Sequence, residues 1–122
     1  MQIDTNSLYE QFVLLSSNIL IHAMIISAVG DIITGTAVAF KKCCLHSRAG
    51  LQGAIKHLCV LVLMLISYPY MTLLNLDIYA NWIVGFFILS YIISIIENLA
   101  AMGVPIPEFL TRYLYQVKNK KE

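Results

Sequence analysis

Three stretches of this chain carry no Asp, Glu, Lys or Arg, and each is long enough to cross a bilayer. They run from Gln11 to Gly30, from His57 to Leu76 and from Ile78 to Ile96, which is 20, 20 and 19 residues. A helix needs about 20 apolar residues to cross a hydrocarbon core of roughly 30 Å, so each gap is one span long. Hydrophobic residues make up 59% of the chain and charged ones 12%, where a soluble domain has about a quarter of its residues charged. The expected fold is therefore an all-α integral membrane protein with three transmembrane helices. At 122 residues the chain suits a single domain. Its spans are expected at about 11–40, 57–76 and 78–97, with a loop at 41–56 and a tail at 103–122. A cleavable signal peptide would open on basic residues. This N-terminus has Asp4 and Glu10 and no Lys or Arg before a long apolar run, so the first stretch is read as a span.

The basic residues orient the spans. The first ten residues and the Asn75-Leu76-Asp77 connection hold no Lys or Arg. The first loop holds Lys41, Lys42, Arg48 and Lys56, and the tail holds Arg112, Lys118, Lys120 and Lys121. All eight fall on one side of a three-span protein, which the positive-inside rule places in the cytoplasm: N-out, C-in. Two or four spans would spoil this separation. Lys41, Lys42, Arg48, Lys56, Arg112 and Lys118 are then expected at the membrane surface, facing anionic headgroups. With a net charge of +1, nothing points to a nucleic-acid partner. Spans two and three must form a tight antiparallel hairpin. Tyr68, Tyr70, Tyr79 and Trp82 cluster near its turn, either as an interfacial belt or as lipid-facing aromatics.

Polar residues inside the spans carry the functional signal. Apolar character in the first span runs from Phe12 to Phe40, about 43 Å of helix against a core of roughly 30 Å. Asp31 interrupts it. Either the helix crosses from residue 12 to about 31 and continues beyond the membrane, or it slides and tilts with Asp31 buried. A buried Asp costs about 2.5–3.5 kcal/mol on insertion scales, so it should face helices, water or the interface. Ser27, Gly30, Asp31 and Thr34 share one side of a helical wheel, with Asn18 and His22 roughly opposite; Ser90, Ser94 and Glu97 form a stripe in the third span. Such stripes serve either oligomer contacts and a polar lining, or packing within one monomer. Pro69 removes the bond to the Leu65 carbonyl and is read as a static bend.

Cys43, Cys44, His46, His57 and Cys59 around the first loop match no standard zinc spacing, and adjacent cysteines are poor joint ligands. No metal or cofactor is expected. Gly103-Val104-Pro105-Ile106-Pro107 ends the third helix. From Glu108 a short amphipathic helix follows, with Phe109, Leu110, Tyr113, Leu114 and Val117 on one face and Arg112 and Lys118 on the other. It should lie on the inner membrane surface or dock on the first loop. No nucleophile–base–acid set, phosphate loop or carboxylate pair is present in the sequence, so an enzyme is not expected.

Three blocks resemble a known family: Asp31-Ile32-Ile33-Thr34-Gly35 before a basic pair, Ser47-Arg48-Ala49-Gly50-Leu51-Gln52-Gly53 before Lys56, and Ser94-Ile95-Ile96-Glu97-Asn98 followed by Gly103-Val104-Pro105-Ile106-Pro107. In this order and spacing they resemble phage holins, a family that includes holin-like toxin-release proteins of clostridia. The resemblance covers residues 31 to 115, and the third block is its most specific part. The chain departs from it at Tyr91, where an acidic residue is frequent, and at Cys43-Cys44, commonly a polar, basic stretch.

The resemblance implies a multi-pass protein of the bacterial inner membrane that self-associates and then opens abruptly. It implies collapse of the proton gradient and release of an endolysin or a large toxin, with no direct contact to that cargo required. It also points to Asp31, Thr34, Gly35, Ser94, Glu97 and Asn98 as contact or lining residues. A membrane regulator or scaffold of antiholin type is the alternative, and a small channel or transporter subunit, without an inverted repeat here, comes last.

Overall fold

The computed structural model of the chain describes residues 3–42 and 47–120, apart from the side chains of residues 47–51, 117 and 118. Among these residues all regular structure is helical: α1 (Thr5–Leu15), α2 (Ile19–Lys41), α3 (Ser47–Leu73), α4 (Asp77–Met102) and α5 (Glu108–Asn119). Three segments are long and apolar enough to cross a membrane: Ile19–Lys41, Gln52–Leu73 and Asp77–Met102.

The first apolar run is two helices, not the one expected over 11–40. Ser16 and Ser17 turn their hydroxyls back onto the Val13 and Leu14 carbonyls, at 2.7 and 2.9 Å. Asn18 then adopts extended backbone and caps α2, its Oδ1 accepting from the amides of Leu20 (2.9 Å) and Ile21 (3.4 Å). A capped start satisfies amides that no helical carbonyl reaches. The effect is to shift the spanning helix toward the C-terminus, so that Asp31 lies midway along α2, at 6% exposure. Asp31 is thus covered by neighbouring helices of the protein itself.

The expected loop at 41–56 is also shorter, because α3 begins at Ser47. Gly50 and Gly53 sit inside that helix, since glycine weakens a helix without forbidding one. Pro69 is fully buried and α3 runs through it to Leu73. The hairpin turn closes on Asn75, whose φ of 57° is left-handed. There Leu76 N–H bonds the Met71 carbonyl and Asn75 N–H that of Thr72, the Schellman pattern. Gly103, at φ 90°, ends α4 the same way, with Val104 N–H on Leu99 and its own N–H on Ala100.

The core is small. Ile21, Met24 and Ala28 of α2 meet Met64 and Tyr68 of α3 and Ala80, Val84 and Tyr91 of α4. α4 packs most closely on α2, while α3 touches both less extensively and also carries α1. Gly30 allows the close approach of α2 and α4: a Cβ there would stand 3.1 Å from Ile95 Cδ1. Lys41 Nζ levels the two helix ends by donating to the Met102 carbonyl at 2.7 Å, a favourable place for a cation.

Candidate functional site

Two polar layers tie the three long helices together. The first is at the N-terminal end of α2. Asn18 Nδ2 donates to Tyr68 Oη of α3 at 2.8 Å, and Tyr68 Oη donates to Asn81 Oδ1 of α4 at 2.7 Å. Asn18 thus caps one helix and ties it to two others. His22 Nε2 lies 2.7 Å from the Ser16 carbonyl, across the break before α2.

The second layer lies thirteen residues on, about 20 Å along the helix, and centres on Asp31. Asn98 of α4 spends both hydrogens of its amide there: Nδ2 donates to Asp31 Oδ1 and to Thr34 Oγ1, each at 3.1 Å. Thr34 in turn donates to its own helix, at the Gly30 carbonyl (2.9 Å) and the Asp31 carbonyl (3.2 Å). A Cβ at Gly35 would stand 3.5 Å from Asn98 Nδ2, so the small residue leaves the amide its place. From α3, His57 Nε2 approaches Asp31 Oδ2 to 3.5 Å. His57 stacks in turn on Tyr91 of α4, ring centroids 5.2 Å apart and planes tilted by 55°. Tyr91 is 5% exposed, and its hydroxyl is buried with no hydrogen-bond partner.

The pairings set directions. Asn18 joins Asn81 through Tyr68 and Asp31 joins Asn98, so α2 and α4 run parallel. Asp31 meets His57 while Asn18 meets Tyr68, so α3 runs antiparallel to both.

The six residues singled out in the sequence divide into two groups. Asp31, Thr34, Gly35 and Asn98 come together between α2 and α4. Glu97 does not join them: it is exposed on the outward face of α4, as is Ser90, with the half-buried Ser94 between. Two members of the inner group were missed. His57 looked like an outlying metal ligand, and Tyr91 looked only like a departure from a family pattern. Their spacing from Asp31 is too long for periodicity to connect, so only helix register reveals the pairing. Among the described residues no three of His, Cys, Asp and Glu group closely enough to hold a metal ion. Cys43, Cys44 and His46 lie outside the described residues, as do the side chains of Arg48 and Lys118. Lys41, Lys42, Lys56 and Arg112 are exposed.

A known family matches almost the whole length of the chain. The family model described as the bacteriophage holin family matches residues 10–119. An uncharacterized protein of Clostridium perfringens strain 13 is 40% identical over 92 residues, covering 74% of this chain and 68% of its own. The YqxH protein of Bacillus subtilis, also uncharacterized, is 32% identical over 100 residues, 81% of this chain and 71% of its own. A protein named "Probable holin" from Bacillus phage phi105 is 29% identical over 100 residues, 81% of this chain and 74% of its own. No solved structure matches.

Proposed function

The chain belongs to the bacteriophage holin family, and from that premise we propose that it gathers in the bacterial inner membrane, associates with copies of itself and opens lesions. The observation that carries this reading is the division of polar residues on α4. Asn98 faces inward and is held by Asp31 and Thr34, while Glu97 and Ser90 face outward. An exposed carboxylate on a spanning helix is costly against lipid and calls for water, the interface or another helix. The inner group keeps each monomer shut. The outer stripe of Ser90, Ser94 and Glu97 becomes a wetted lining when several copies meet.

The whole chain, residues 1–122, acts as one membrane domain, oriented N-out and C-in by its basic residues. α2 has 23 residues, about 34 Å, which fits the core with Asp31 near mid-depth. α1 then rests on the outer surface. α5 lies along the inner surface, with Phe109, Leu110, Tyr113 and Leu114 toward lipid and Arg112 toward headgroups. Opening collapses the proton gradient and releases an endolysin or a similar large protein, which need not touch the holin.

Controlled expression in a bacterium tests this, following a membrane-potential dye and the release of a large cytoplasmic enzyme. Sudden depolarisation with enzyme release is expected. Depolarisation without release reduces the reading to a small pore. Neither event, with insertion verified, overturns pore formation in favour of a regulator.

A further inference from the structure

Among the described residues His57 is the one link from α3 to the Asp31 layer, and nothing in the holin reading requires a histidine there. Asp31 is buried, and Asn98 and Thr34, its partners from α4 and α2, are neutral. A buried carboxylate needs an opposite charge or a proton. Among the described residues, the titratable groups placed against His57 are Asp31 from α2 and Tyr91 from α4. The acids of α1, Asp4 and Glu10, are exposed, and so is Lys56 beside it on α3.

We propose that Asp31 and His57 form a proton-binding site inside the membrane, whose occupancy fastens α3 to the α2–α4 pair. With the imidazole protonated, the 3.5 Å approach of Nε2 to Oδ2 is an ion pair and charge is balanced. With the proton lost, the ion pair is gone while Asn98 still holds α2 to α4 and Tyr68 still ties the far end of α3 to Asn18 and Asn81, so only the His57 end of α3 is loosened. The asymmetry of the packing makes this consequential, because α3 touches its neighbours less than they touch each other. The imidazole side chain is 24% exposed and lies five residues after Gln52, where its span begins. Tyr91 supplies a ring face for the imidazole, and its own hydroxyl is buried without a hydrogen-bond partner. The direction follows from the geometry: the latch holds while the pair carries its proton and loosens when the proton leaves. That loosening frees one end of a helix for contacts between copies, and in that respect alone the inference rests on the proposed function.

The test measures the distance between α3 and α4 and needs no pore. Spin labels are placed at Gln52→Cys and Ala101→Cys, both exposed, with Cys43, Cys44 and Cys59 changed to Ser. The protein is reconstituted in phospholipid vesicles, and distance distributions are recorded at mildly acid and at mildly alkaline pH. A narrow distribution at acid pH that widens or lengthens at alkaline pH is expected. In His57→Gln the wide distribution should appear at both. Asp31→Asn retains an acceptor for Asn98 and should also lose the pH response, while Tyr91→Phe should keep it. Identical distributions at both pH values in the parent protein, or a response surviving in His57→Gln or Asp31→Asn, would overturn the latch. Vesicle leakage measured alongside reports on pore formation separately.

Discussion

Asn98 shows how much one side chain carries here. Its amide is the sole donor from α4 to Asp31 and Thr34 among the described residues. Asn98→Ala leaves a buried carboxylate short of a partner, at a cost of about 1–3 kcal/mol. The midpoint of unfolding in detergent should fall accordingly. Asn98→Asp sets a second carboxylate against the first and should fall further. The two faces of α4 also predict opposite phenotypes. Asp31→Ala removes an inward tie and should bring lysis forward, whereas Glu97→Ala removes an outward polar group and should delay it. Lysis timing at matched membrane levels decides: if neither variant moves it, the contact and lining assignment fails. Gly103 is a purely conformational case. A Cβ there meets Lys41 Nζ at 3.7 Å, an ordinary contact, but its φ is +90°. Gly103→Ala should therefore cost about 1 kcal/mol through backbone strain alone, read as the same midpoint shift.

Among elements, the three spans were legible because charge is the costliest thing to place in lipid, so its absence over 20 residues is a strong signal. The break before α2 was not legible by that measure, because Ser16, Ser17 and Asn18 are uncharged and leave the gap intact. A signal existed all the same: an apolar run of about 43 Å is too long for one crossing, and Asn is a preferred N-cap. The start of α3 was hidden by Gly50 and Gly53, which suggest a loop but are tolerated in a helix. Within the site, Asp31, Thr34 and Asn98 were recognisable as polar groups in apolar spans, whereas the link to His57 depends on register and could not be read. Asp4 makes α1 sensitive to acid. Its carboxylate accepts from Ser7 Oγ at 3.0 Å and from the Asn6 amide at 3.3 Å, and these bonds hold its pKa below the usual 3.8. A lowered value means the cap contributes at neutral pH and is lost as pH falls through that value. Amide exchange in α1 should accelerate there, and Asp4→Ala should abolish that pH dependence.

At the level of the whole molecule, the small core is the central fact. Among the described residues eight buried hydrophobic side chains hold the three long helices together, and most of the helices' remaining surface faces outward. In lipid that surface gains nothing by hiding from its surroundings, so contacts within one copy compete on nearly equal terms with contacts between copies. Polar layers then decide the outcome, and the outward stripe of α4 is the part no single copy satisfies. This predicts where water enters. Cysteines at Ser90 and Glu97 should resist a hydrophilic, impermeant thiol reagent before depolarisation and react rapidly after it. A cysteine at Ile92, exposed on a different side of α4, should stay protected throughout, because lipid continues to cover it. Reaction at all three positions would mean that α4 leaves the bilayer altogether. Protection at all three, in cells that have lost their membrane potential, would mean that another helix lines the lesion.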